Sequence, residues 1–184
     1  LTDLRKSHLI FIGAEMKRLG CGHYRQTTMD VIFTDEAGNP TGSIIQFSHC
    51  ESDKDMDNYL SSQWDYIGFD ELSTVTLEQF LKISAAVRTS PLNPYVGLVR
   101  ACSNPLGPGA AWMKQWFIDH DVDYAEFPDY NPEDFEWQFS TLEQNAYVDR
   151  KDYEKRLKNL PEHVRRAWLL GEFVDEGSYF SDFR

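Results

Sequence analysis

Trp64-Asp65-Tyr66-Ile67-Gly68-Phe69-Asp70-Glu71 is the stretch on which the fold turns. Trp64 to Phe69 is a short, largely apolar run of the length expected of a buried parallel strand. It stops abruptly on two adjacent carboxylates. In open α/β sheets the carboxyl ends of the strands face the crevice in which ligands bind. An acid pair at that point has two readings: chemistry at the crevice, or a cap on the helix that follows, because acids favour helix N-termini.

Working outward, Thr76 to Val87 carries apolar residues at helical spacing (Leu77, Phe80, Leu81, Ile83, Ala85, Val87), with a cap expected near Ser73 or Thr74. Tyr95 to Cys102 reads as the next strand, and Ser103-Asn104-Pro105-Leu106-Gly107-Pro108-Gly109 as a loop, since Pro and Gly forbid regular structure there. Ala110 to Ile118 follows as an aromatic helix. Asp149 to Leu157 and Pro161 to Leu169 are two further helices, the second with Pro at its start. Upstream, residues Leu4 to Leu19 form a helix that stops at Gly20-Cys21-Gly22. Asp30 to Thr34 and Ser43 to Ser48 form a hairpin across the turn Asp35-Glu36-Ala37-Gly38-Asn39-Pro40. The acidic stretch Glu51 to Asn58 is a loop or one solvated turn. Strand and helix alternate, which argues an α/β domain with a mostly parallel sheet.

Composition narrows the function. The 184 residues are enough for a domain with a real core, and no apolar run approaches the length of a membrane span. A net charge of −12 excludes a surface that grips nucleic acid as a whole. The three cysteines lack metal spacing and are expected as free thiols in a reducing compartment. The chain starts on Leu1 without an initiator Met and closes on Phe183-Arg184, which reads as a piece of a longer protein.

An apolar strand ending in Asp-Glu is the Walker B arrangement of P-loop ATPases. Asp70 is then the residue that holds Mg²⁺, through water, because Mg²⁺ keeps much of its hydration shell. Glu71 orients and activates the attacking water. Asn104, a neutral amide that donates and accepts hydrogen bonds, lies at the end of the neighbouring strand, where it would sense a terminal phosphate; as a plain Asn-Pro turn it would do nothing.

The order of these features resembles the viral (tailed-phage) terminase large subunit. The resemblance rests on Asp70-Glu71, Arg88 at the end of the next helix, Ser103-Asn104-Pro105 as a coupling motif, and Trp112 or Trp116 in the helix after it. The hairpin with Ile44-Ile45-Gln46-Phe47 and the closing run Pro161 to Leu169-Leu170-Gly171-Glu172-Phe173 also match, so the likeness runs from about Asp30 to Phe180. It implies a P-loop NTPase-like fold, with a mostly parallel sheet flanked by helices. That fold is incomplete here, because no Gly-x-x-x-x-Gly-Lys-Ser/Thr occurs in the sequence. Residues 1–170 would be the C-terminal part of the ATPase domain, and 171–184 the linker to a nuclease domain. The implied activity is ATP hydrolysis that drives double-stranded DNA into a capsid. Asp70 and Asn104 would bind nucleotide, Asp70 would bind the metal, and Asp70, Glu71, Ser103, Asn104 and Arg88 would form the catalytic set. The implied cofactors are ATP and Mg²⁺. The implied partners are double-stranded DNA, a portal protein and a small terminase subunit, in a homo-oligomeric ring in the host cytoplasm, with no membrane. Phe173 stands where the family usually has Trp.

Two alternatives remain: another P-loop DNA-translocating ATPase or helicase, and a non-catalytic α/β viral adaptor in which the acids are caps. A piece without its phosphate-loop strand would hydrolyse nothing by itself and would expose sheet edges that promote association. Asp119-His120-Asp121 with Asp123 is a solvated loop rather than a metal site. The basic stretch Arg150, Lys151, Lys155, Arg156, Lys158, Arg165 and Arg166 is interleaved with acids and reads as a solvated face. Arg100 lies inside a strand just before the coupling loop.

Overall fold

A computed structural model of the chain describes residues 9–50, 55–56, 59, 61–89 and 95–173. The start of the first predicted helix, most of the acidic stretch Glu51 to Asn58 and the linker beyond residue 173 lie outside these. The chain is mixed α/β and divides into two compact units, Leu1–Asp55 and Met56–Arg184.

The first unit is a helix followed by an antiparallel sheet. Helix α1 (Ile10–Leu19) ends where Gly20 takes a left-handed conformation and returns its N–H to the Met16 carbonyl at 3.0 Å. Strand β1 (Gly22–Arg25) pairs with β2 (Asp30–Thr34), and β2 pairs with β3 (Pro40–Gln46). The predicted hairpin is β2–β3. Its loop is closed by the Asp35 carboxylate, which accepts the Asn39 N–H at 2.8 Å. Strand β1 is an addition to the sequence reading, which stopped at Gly20-Cys21-Gly22. A Cβ on Gly22 would lie 2.5 Å from the Ile32 carbonyl oxygen, so a residue that looks like a helix stop also admits a neighbouring strand. Asp30, almost fully buried, accepts two bonds from the Arg25 guanidinium (2.7 and 2.5 Å) and one from the Thr28 hydroxyl (2.9 Å), and these close the β1–β2 turn.

The second unit carries the deciding stretch. Strand β4 (Tyr66–Asp70) runs parallel to β5 (Leu98–Cys102), in register from Tyr66↔Leu98 to Asp70↔Cys102. Helix α2 (Leu77–Ser84) makes the crossover that parallel pairing requires. Among the described residues this pair, extended by a bridge between Trp64 and Val87, is the parallel part of the structure; the sheet of the first unit is antiparallel. β4 is not buried on both faces as expected. Ile67 and Phe69 face the core while Tyr66, Gly68 and Asp70 are exposed. β5 begins at Leu98, three residues later than predicted.

Helix α3 (Ala110–Lys114) continues as a π-helical turn over Gln115–Asp119 and stops at His120, which adopts a left-handed backbone. Short 3₁₀ turns, α4 (Arg150–Leu157) and α5 (Glu162–Leu170) complete the unit. Trp112, Trp116, Phe117 and Phe135 form the aromatic core with Phe80 and Tyr130. The Trp112 indole N–H donates to the Val75 carbonyl at 2.8 Å, so its one polar atom is satisfied inside the core. No helix among the described residues is long and apolar enough to cross a membrane.

Candidate functional site

The site is built where β4 and β5 end. Parallel strands in register finish side by side, so Asp70 and Cys102 are cross-strand neighbours. The Cys102 thiol donates to Asp70 Oδ1 at 3.2 Å. Partial burial of the sulfur is the main reason the thiol pKa is raised, and the hydrogen bond to Asp70, with the nearby negative charge, pushes it the same way. Cys102 is thus a neutral donor at neutral pH, although much of the residue is exposed.

Glu71 comes next and is exposed. Its φ and ψ of 53° and 55° place it in the left-handed region, which a residue with a Cβ enters only at a cost of about 1–2 kcal/mol. Such outliers persist where their surroundings hold them, often at functional positions. The Glu71 carbonyl accepts the Thr74 N–H at 2.9 Å and the Thr74 hydroxyl at 2.8 Å, and this turn is anchored through the almost wholly buried Ser73. Its N–H donates to Ser103 Oγ at 2.9 Å, and its carbonyl accepts the Gly109 N–H at 2.7 Å. The Ser103–Gly109 loop therefore clasps the turn that follows Glu71. Gly109 is required at this contact: a Cβ would lie 2.6 Å from the Val75 carbonyl oxygen and 2.8 Å from the Trp112 indole nitrogen.

The helix-cap reading of the acid pair loses its mechanism. Glu71 precedes a 3₁₀ turn (Leu72–Thr74) and makes no capping bond with its side chain. Helix α2 is capped instead by Thr76 in a capping box with Gln79, at 3.2 and 3.1 Å, later than the expected Ser73 or Thr74. Ser73 is unavailable as a cap because it is buried in the clasp.

The structure brings Asp70, Glu71, Ser103 and Asn104 to the same strand ends, with Asn104 exposed beside Ser103. Arg88 is placed elsewhere. Its N–H donates to the Trp64 carbonyl at 3.0 Å, and its own carbonyl accepts from Gln63 at 2.6 Å. That is the amino end of β4, roughly 20 Å of strand away from Asp70 at about 3.3 Å per residue. Arg100 sits opposite Gly68 on the exposed face of the pair. Cys102, read only as a strand end and free thiol, and Ser73, read only as a cap, were not expected at the site; the only trace of Ser73's role was the Gly-Pro-Gly of the loop that packs on it.

The remaining motifs behave as solvated structure. Asp119 pairs with Lys114, His120 Nδ1 meets the Tyr130 hydroxyl at 2.7 Å, and the Asp123 carboxylate accepts the Ala125 N–H at 2.8 Å. No cluster of three metal-ligating side chains occurs among the described residues. Arg150 pairs with Glu143 and Glu154, Arg156 with Asp152, and Arg166 with Glu172.

Comparison with family models, with curated proteins and with solved structures finds no match for this chain.

Proposed function

We propose that the chain carries the hydrolysis centre of a P-loop-type ATPase of the terminase large-subunit kind, which couples ATP hydrolysis to movement of double-stranded DNA into a viral capsid. The observation that supports this most is the convergence of Asp70-Glu71 and Ser103-Asn104 at adjacent parallel strand ends, tied by the bond from the Ser73 N–H to Ser103 Oγ. The two motifs are about thirty residues apart in the chain, and the parallel register sets them side by side at the end of the sheet where ligands bind in open α/β folds.

Asp70 offers an exposed carboxylate at a strand terminus, the hard oxygen donor that Mg²⁺ takes. Bound there, Mg²⁺ supplies charge neutralisation for a transferring phosphoryl group. No phosphate loop occurs in the sequence, so the cradle for the triphosphate and its Lys would be supplied from outside these residues. Glu71 accepts a proton from, and orients, the attacking water. Ser103 and Asn104 couple phosphate state to the turn after Glu71, because the Ser103 hydroxyl holds that turn through Ser73. Arg88 has no part in the centre formed within one chain. The net charge of −12 leaves DNA contact to a local surface or to other parts of a ring that also engages a portal protein and a small subunit. The setting proposed is the host cytoplasm during viral assembly.

The test is Mg²⁺-dependent ATP hydrolysis by the longest natural chain that contains these residues, wild type beside Glu71→Gln, with and without linear DNA. The expected result is DNA-stimulated hydrolysis in the wild type and a loss of roughly two to four orders of magnitude in the variant. Equal activity in both would place the base elsewhere. Absence of hydrolysis in the wild type would leave the adaptor reading.

A further inference from the structure

The structure assigns Cys102 as a positioning residue for Asp70: its thiol holds one oxygen of the metal-binding carboxylate and so fixes how the carboxylate meets a divalent cation. This inference rests on the nucleotide-hydrolysis reading proposed above.

Two observations carry it. Cys102 and Asp70 are paired residues of the parallel register, on the same exposed face, so backbone hydrogen bonding sets their separation. The sulfur lies 3.2 Å from Asp70 Oδ1 and 3.8 Å from the Phe69 carbonyl oxygen, so the carboxylate is the nearer acceptor for its single proton. One small side chain therefore holds the first member of the acid pair directly.

A carboxylate at the end of a strand turns about its terminal bond, which is broad and roughly two-fold. A donor on one oxygen removes that freedom before the cation arrives, and the cation need not restrain it. Pre-ordering of this kind raises affinity by lowering the ordering cost. A serine at position 102 keeps an O–H donor with a similar reach, and an alanine removes it. A thiol that is merely packing at the strand end would be replaced by alanine with no effect on the cation.

The test measures Mn²⁺, as a spectroscopic stand-in for Mg²⁺, by electron paramagnetic resonance. It uses the longest natural chain that contains these residues, with a non-hydrolysable ATP analogue present. Wild type, Asp70→Asn, Cys102→Ala and Cys102→Ser are compared, each first shown to melt at the wild-type temperature. Asp70→Asn is expected to abolish the site. Cys102→Ala is expected to weaken Mn²⁺ binding about 2- to 10-fold, the worth of one hydrogen bond, with Cys102→Ser close to wild type. Wild-type affinity in Cys102→Ala, or equal weakening in Ala and Ser, overturns the positioning role while the loss in Asp70→Asn keeps the ATPase reading. Wild-type binding in Asp70→Asn removes the ATPase reading, and the inference falls with it.

Discussion

Removing the Ser103 hydroxyl separates the structural part of the coupling loop from its proposed chemical part. Ser73 is 1% exposed, and its N–H donates to Ser103 Oγ at 2.9 Å. Ser103→Ala leaves that N–H with neither a protein partner nor room for bulk water. An orphaned buried donor costs about 1–3 kcal/mol, more than the net worth of the bond itself. Ser103→Thr keeps the hydroxyl and should lose less than about 1 kcal/mol. The assay is urea unfolding followed by tryptophan fluorescence. All five tryptophans (Trp64, Trp112, Trp116, Trp137 and Trp168) belong to the second unit, so the signal reports that unit alone. The expected result is a lower midpoint at unchanged slope for Ser103→Ala, and a midpoint near wild type for Ser103→Thr. A loss below about 0.5 kcal/mol in Ser103→Ala would show that Ser73 finds another acceptor. The clasp would then not be what holds the turn after Glu71.

In the first unit, Asp30 has its pKa lowered chiefly by the Arg25 hydrogen bonds, against the opposing effect of burial. The contribution of this pair is complete above the ordinary carboxylate value of about 4 and is lost as pH falls through the lowered folded value. Far-UV circular dichroism of wild type should therefore show a loss of sheet signal on the acid side, and Asp30→Asn should remove that pH dependence while weakening the sheet at neutral pH. At the end of α5, Gly171 has φ 64°, and a Cβ there would lie 1.9 Å from Phe139 Cε2. Gly171→Ala should cost about 1–2 kcal/mol for the left-handed backbone alone. Adding Phe139→Ala should relieve the crowding but not the backbone cost, and thermal melts of the two variants check this.

The sequence made the β4–α2–β5 unit legible because each of its signals was local and agreed with the others. An apolar run ended on acids, a helical stripe followed, and a second apolar run ended on Pro and Gly. It also marked the aromatic helix from Ala110, whose Trp112, Trp116 and Phe117 turn out to form the core. It missed β1, whose four residues Gly-His-Tyr-Arg carry no apolar alternation and are held in place by pairing with β2. It misjudged the burial of β4, because an apolar run does not reveal whether a second layer covers its other face. Cap placement failed for a related reason: Ser73 and Thr74 are good caps in sequence, but Ser73 is buried against the Ser103 loop and the Thr74 hydroxyl donates to the Glu71 carbonyl.

That last failure bears on the site itself. Asp70 and Glu71 could be named from sequence because acids at a strand end are conspicuous. The residues that hold them, Ser73 and Cys102, are small, chemically ordinary and identified only by what the parallel register sets beside them. The acid pair alone fits a helix cap as well as it fits chemistry. A left-handed Glu71 whose carbonyl is held by Thr74, in a turn anchored through buried Ser73 to the loop of the neighbouring strand, does not fit a cap, because its side chain forms no capping bond and the backbone cost is still met. The strained turn therefore joins Asp70-Glu71 to Ser103-Asn104 as one mechanical unit. If Asn104 couples as proposed, its path to the acid pair is short: the Ser103 hydroxyl to the Ser73 N–H, and the Thr74 N–H and hydroxyl to the Glu71 carbonyl.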